Sequence, residues 1–369
     1  GAVALNLATQ DAMTTPKRHS AHYLLSAVAV LCLSQSAQAQ AQTKAPPETP
    51  VVGARAGSDE TPALGVVDWI KRMHGAARKH SYVGTFVVSV AAGNLSSARI
   101  WHACEGDLQI ERVDLLSGPP RTTFRRNEQV LTFLPDQRVI KVEKRENSEL
   151  FPNLLGVPDS AIADFYTVKV VGKGRVAGFD TDVIQLMPRD ALRFGYRVWT
   201  EKQSGLLTKL QTVDSEGRVV EQSAFSELQL DAPIKVQALS QMMGSTAGYR
   251  MEKSQVERTT PQAEGWALKN PVPGFKPIGC HRRVLGGAAG TERMLQWTFS
   301  DGLATVSLFL EPFDAKRDAQ EGLLSLGATN TLTRRLADPS GDWWLTAVGE
   351  VPTNTLEAFA QNLSRLQPR

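Results

Sequence analysis

Between Leu64 and His80 the apolar residues Val66, Val67, Ile70, Met73 and Ala77 recur at helical spacing, with Lys71, Arg72, Arg78 and Lys79 on the other side. That period predicts one amphipathic helix. From Tyr82 the period becomes two and holds to Leu230, through segments such as YVGTFVVSV, LQIERVDLL and YRVWTEK. Turn signals at Ala92-Gly93-Asn94, Pro135-Asp136, Ser204-Gly205 and Glu216-Gly217 separate the segments, which predicts a long antiparallel meander. Glu149 to Phe165 interrupts it with prolines and small residues and reads as a loop with a helical turn. A sheet of about ten strands curls or closes, and one helix does not cover a flat sheet of that size. The expectation is a half barrel with the helix on its concave side.

Asp231 to Pro261 is polar, without strand alternation, and reads as a linker with a short helix at 234–243. A second unit follows, with strands expected at 277–283, 293–300, 304–311, 330–337 and 343–350 and a turn at Asp301-Gly302. It closes with a helix in which Leu356, Phe359, Ala360, Leu363 and Leu366 share a face, entered by Pro352 and Asn354. The fold class is α+β and β-rich: a curved antiparallel half barrel with a covering helix, then a smaller α+β domain. The expected boundaries are 63–230, a linker at 231–261, and 262–369.

The amino terminus reads as an address. Lys17, Arg18 and His19 precede the apolar run Tyr23–Leu33, and Ala37-Gln38-Ala39 has the small-x-small form of a cleavage site. This order predicts a secretory signal peptide cut after Ala39. The apolar run is about half the length that a membrane-spanning helix needs. Residues 1–39 are thus assigned to an upstream extension and signal peptide, with Met13 where an initiator would stand, and 40–62 to a flexible leader. A periplasmic location is expected.

With 41 basic against 38 acidic side chains the net charge is +3, too balanced to imply a nucleic-acid partner. Cys32, Cys104 and Cys280 form no C-x-x-C motif, and pairing of Cys104 with Cys280 is left open. There is no H-E-x-x-H, no phosphate-binding loop of the Walker type and no G-x-S-x-G, and the histidines beyond the leader are scattered. The glycine-rich stretch Gly172–Gly178 precedes a strand where a dinucleotide site needs a helix, so it reads as a hairpin turn. No enzyme activity, catalytic residue, metal site or cofactor is expected.

What remains is an apolar surplus on a curved sheet. Phe86, Val88, Ile100, Phe133, Ile140, Val142, Ile184, Leu186, Tyr196 and Val198 alternate with other positions and are the expected lining of an acyl-accepting cavity, with ordinary core beneath the helix as the alternative. The basic pairs Arg125-Arg126, Arg282-Arg283 and Arg334-Arg335 are candidates for lipid phosphates or acidic groups of a partner, with a solvated face as the alternative. Trp343, among the tryptophans of the second unit, is a candidate protein contact or a core residue.

The stretches RMHGAARKHSYVGTFVV (72–88), GRVAGFDTDVIQLMPRDALRFGYRVW (174–199), SGLLTKLQTVDSEGRVVEQSAFSEL (204–228), PGFKPI, FSDGLATVSLFLE and AVGEVPTNTLEAFAQNL resemble the RseB/MucB family, exported regulators of an envelope-stress sigma factor. The match runs in order through both units. It departs at Phe179, where the family continues with arginine, and in adding Cys104. The resemblance implies a first domain like the lipoprotein carriers LolA and LolB. It also implies a second domain that binds the periplasmic part of an anti-sigma factor of the RseA/MucA kind. By the same resemblance the protein would shield that factor from the site-one protease and release it on sensing lipid, lipoprotein or lipopolysaccharide. A lipid or lipoprotein carrier is the alternative, and homo-oligomerisation is left open.

Overall fold

The computed structural model describes residues 64–144, 161–253, 256–287, 290–315 and 320–366. The expected signal peptide, the 40–62 leader and most of the 149–165 interruption lie outside the described residues.

The first helix, α1 (Val66–Lys79), buries Val66, Trp69, Ile70, Met73, Ala76 and Ala77. The Gly65 amide donates to Asp68 Oδ2, and Arg78 and Lys79 occupy the last turn, where cations suit the helix dipole. The meander follows as β1 (Tyr82–Val90), β2 (Leu95–Glu105), β3 (Leu108–Leu115), β4 (Thr122–Arg126), β5 (Gln129–Leu134) and β6 (Val139–Lys144). After the turn of helix α2 (Ile162–Phe165) come β7 (Tyr166–Val176), β8 (Phe179–Pro188), β9 (Gly195–Glu201), β10 (Leu207–Val213) and β11 (Val219–Leu230). Pairing of β1 with β11 joins the two halves into one sheet. The glycine-rich stretch is the β7–β8 hairpin: Ala177 and Gly178 both take positive φ, as a two-residue turn of the primed type requires.

The segment expected as a linker joins both sheets. It forms α3 (Val236–Gly244), then β12 (Arg250–Lys253), which pairs parallel to β6 and makes the first sheet twelve-stranded, then β13 (Val256–Arg258) in the second sheet. Strands this short carry too few residues to show alternation.

The second unit adds β14 (Trp266–Leu268), β15 (Lys276–Gly287), β16 (Gly290–Ser300), β17 (Thr305–Pro312), β18 (Gly322–Leu326), β19 (Thr329–Leu336), β20 (Trp343–Gly349), α4 (Thr353–Asn362) and β21 (Leu363–Arg365). Its seven-stranded sheet runs β13-β15-β16-β17-β20-β19-β18. The last helix is shorter than expected. It ends at Asn362 because Leu363–Arg365 turn extended to pair with β14, which leaves Leu366 exposed. Trp266, Trp297, Phe299, Leu356 and Phe359 form the core between sheet and helix.

Candidate functional site

Register decides which predicted lining residues share a face. Ile100 faces Val113, Val113 faces Thr123, Thr123 faces Thr132, and Thr132 faces Lys141. Phe133, Ile140 and Val142 are sequence neighbours of that row and point the other way. They pack beneath α3 with Phe124, Leu131, Leu239 and Met243 on the outer side of the sheet. The other seven lie on the α1 side: Phe86, Val88 and Ile100 with Ala76 and Ala77, and Ile184, Leu186, Tyr196 and Val198 with Trp69, Ile70 and Met73. The ten residues therefore do not line one cavity. A period of two shows alternation but not which parity faces inward once two helices cover opposite faces.

The inner face also carries a polar row that periodicity does not single out. Tyr82, His102, Glu111 and Arg125 stand opposite one another across β1 to β4. His102 is buried and stacks on Tyr82 with ring centroids 4.9 Å apart. Burial is the main cause that pushes its pKa down to about 4, so it is neutral.

The basic pairs do not form one patch. Arg125 belongs to the polar row, and the exposed Arg126 borders a groove with Asn127, Gln129, Val142 and Glu143. Arg282 bonds Glu257 and Glu264, and Arg283 bonds Gln296 and approaches Glu143 at 3.9 Å. Arg335 bonds Asp342 and lies over Phe313, next to the half-buried Arg334. The Arg282 and Arg334 pairs lie on β15 and β19, four strand spacings or roughly 19 Å apart. Trp343 meets Trp266 edge-on at 5.3 Å, with Arg365 over both rings, and packs against the second core. Cys104 and Cys280 are free thiols.

The arrangement that stands out is the seam between the two domains. Arg193, in the β8–β9 loop, is buried and donates from Nε to Asp301 Oδ2 at 2.7 Å, from Nη1 to Asp190 Oδ2 at 2.5 Å and from Nη2 to the Pro273 carbonyl at 2.6 Å. Its guanidinium lies over Phe165 at 4.3 Å and over Phe275 at 4.8 Å, one ring from each domain. Asp301 Oδ1 accepts the Leu303 and Ala304 amides of its own turn, and Tyr166 Oη donates to Asp301 Oδ2 at 3.3 Å. The turn that Asp301 shapes carries Leu303 into the first-domain core beside Ile162 and Tyr166. From α4, Asn354 Nδ2 donates to the Ala191 carbonyl and Thr355 Oγ1 to that of Leu192. A buried guanidinium held by two carboxylates and two ring faces is a planar fit that lysine does not reproduce.

A second contact closes the seam. The β18–β19 hairpin tip docks on the first sheet, where the Ala328 amide donates to Glu221 Oε2 at 3.1 Å. Gly327 has φ +62°, and a Cβ there would stand 2.5 Å from both Val90 Cγ1 and Glu221 Oε2. Gly327→Ala is therefore expected to weaken the seam by about 1–3 kcal/mol, from the left-handed backbone and the clash together. Hydrogen exchange should show the Ala328 amide opening while amides of β16 and β17 stay protected.

Sequence reading named Asp301-Gly302 only as a turn and Asn354 only as a helix entry, and it assigned no role to Arg193. Yet RDALRF, SDGLA and VGEVPTNTL, which carry much of the family resemblance, are the three stretches that meet here. Among the described residues no group of His, Cys, Asp and Glu is placed to hold a metal, and no helix is long and apolar enough to cross a membrane.

Comparison with known proteins follows the same two-domain division. Residues 65–243 match the MucB/RseB N-terminal domain and residues 260–364 the MucB/RseB C-terminal domain. The sigma factor AlgU regulatory protein MucB of Pseudomonas aeruginosa is 29% identical over 314 residues, 82% of this chain and 92% of that protein. The sigma-E factor regulatory protein RseB of Escherichia coli K12 is 23% identical over 318 residues, 84% of this chain and 92% of that protein. Among solved structures, that of the P. aeruginosa MucA/MucB complex superposes with a TM-score of 0.64 at 27% identity, covering 82% of this chain and 99% of that one. A crystal structure of MucB with MucA(peri) gives 0.62 at 26%, over 82% and 99%. With both domain models matched in order over the two units that the fold separates, the chain belongs to the MucB/RseB family.

Proposed function

We propose that this protein is an exported, periplasmic regulator that holds the periplasmic region of a membrane anti-sigma factor. In this reading it keeps that region from site-one proteolysis and releases it when an acyl-bearing ligand, lipid or lipopolysaccharide, is sensed by the first domain. The observation that carries the reading is the likeness to MucB over both domains, in the form MucB takes with bound MucA(peri). The signal-peptide pattern before Ala39 supports export. The interlocked seam supports communication between the domains, because a rotation of either one displaces Arg193 or Leu303 from the other. A carrier of lipid has no use for a second domain plugged into the first domain's core.

Calorimetric titration of the chain from Gln40 with a synthetic periplasmic segment of an anti-sigma factor tests this. The segment should bind, and a saturating acylated ligand should weaken it by about 5- to 150-fold, with the reciprocal loss when the order is reversed. Equal affinity in both states rejects the switch, and absence of binding rejects the partner.

A further inference from the structure

We propose that the Asp301-Gly302-Leu303 turn of the second domain is a built-in pseudo-ligand, and that the place it fills is the first domain's site for an anionic acyl compound. Arg193 holds the anionic head of that compound, and its chain lies beside Ile162 and Tyr166. The inference rests on acyl sensing by the first domain and adds the chemistry and the place of the ligand.

The turn carries a negative head and an apolar tail two residues apart. The head is the Asp301 carboxylate, whose Oδ2 accepts from Arg193 Nε at 2.7 Å and from the Tyr166 hydroxyl at 3.3 Å. The tail is Leu303, 8% exposed, which sits in the α1-side core with Ile162 and Tyr166. Every other described member of that core belongs to the first domain. Asp301 Oδ1 accepts the Leu303 and Ala304 amides, so the turn itself fixes head against tail. Between them Gly302 passes so near Ile162 that a Cβ would stand 3.4 Å from Ile162 Cδ1.

Arg193 is placed to change partners. Its Nη1 bonds Asp190 Oδ2 within its own loop, a contact that stays with the first domain when the seam opens. Its Nε and Nη2 donate to the second domain, to Asp301 and to the Pro273 carbonyl. These two nitrogens form one edge of the guanidinium, the fork that meets a carboxylate or a phosphate through two parallel bonds. Withdrawal of the second domain therefore leaves a cation with a free fork beside the apolar hollow that Leu303 vacates. An anion carrying an acyl chain satisfies both, whereas a neutral lipid or a short anion satisfies one. Turn and ligand exclude each other, so apparent affinity is the intrinsic affinity reduced by the fraction of molecules whose seam is open.

Calorimetric titration of the chain from Gln40 with dodecyl phosphate, laurate and the neutral dodecyl maltoside, each below its micelle concentration, tests this. At least one anionic probe should bind about tenfold or more tightly than the maltoside. The phosphate leading identifies a phosphorylated lipid as the source of the head, and laurate leading identifies a fatty acid. Asp301→Asn, which loosens the seam and leaves Arg193 in place, should tighten the anionic probe by about tenfold or more. Arg193→Met with Asp301→Asn should bind the chain without preferring the anion. Ile162→Cys with Gly302→Cys, in a Cys104→Ala and Cys280→Ala background, sets two Cβ atoms 4.0 Å apart, within reach of a disulfide. The bridged form should bind the anionic probe about tenfold or more weakly than the reduced form. Circular dichroism confirms folding, and where the left-handed backbone at Gly302, φ +97°, keeps the bridge from closing, Asp301→Asn and the double variant decide. Equal affinities for anionic and neutral probes, an Asp301→Asn affinity no higher than the parent's, or a bridged form that binds like the reduced one overturns the pseudo-ligand. Each of these leaves acyl sensing standing, whereas binding of no probe to any form removes both.

Discussion

Replacing Asp301 by alanine is expected to destabilise the joined domains by about 3–5 kcal/mol, the range for removing one partner of a buried ion pair. The loss has two sources in the structure. Arg193 remains buried with Asp190 and one carbonyl, its Nε facing no acceptor, and the Leu303 and Ala304 amides lose the oxygen that shapes their turn. Asp301→Asn separates the two, because an amide oxygen can still accept from the turn while the charge is gone. Its cost should be smaller than that of alanine. Arg193→Met combined with Asp301→Asn should recover part of the loss, since two neutral groups leave no buried charge. Urea unfolding followed by tryptophan fluorescence, with small-angle scattering to report domain separation, measures both. An Asp301→Ala protein with unchanged unfolding and unchanged dimensions would falsify the assignment of this pair as the seam's anchor.

Phe133→Ala should cost about 3–5 kcal/mol as a large-to-small change in a packed core. Phe133 is 7% exposed and meets Phe124 at 5.6 Å and Tyr249 at 5.4 Å, both edge-on. Tyr249 immediately precedes β12, so the substitution removes the contact that fastens α3 and β12 to the outer side of the sheet. Because Phe133 faces away from α1, the variant should keep its affinity for an acylated ligand on the inner face wherever it remains folded. Ile184→Ala, fully buried on the α1 side, should lower both stability and ligand affinity. A folded Phe133→Ala protein that loses the ligand, or one as stable as the parent, contradicts this placement.

The two variants mark where periodicity stops informing. Both residues sit in strands of clear alternation, and both read as apolar members of a curved sheet. What separates them is the pairing of Ile100 through Val113 and Thr123 to Thr132, together with the return of α3 over the outer face. Neither is visible within a window of ten residues. The basic pairs show the same limit from the side of charge. Arg282 reads as an available cation, but its acid, Glu264, comes from another segment that the fold brings beside it.

By itself the sequence determined the first helix with its buried stripe, the longer strands and the tight hairpins, because these depend on side chains only a few positions apart. It also carried the family, through stretches whose local order is preserved. The tertiary structure alone decided what those stretches do. Arg193, Asp301 and Thr355 lie more than a hundred and sixty positions apart from end to end and meet at one seam. Asp301 is at once a turn acceptor and the counter-charge of a buried guanidinium. Local propensity sets backbone conformation, whereas burial, charge pairing and face depend on which distant surface arrives, and that is settled only when the chain closes on itself.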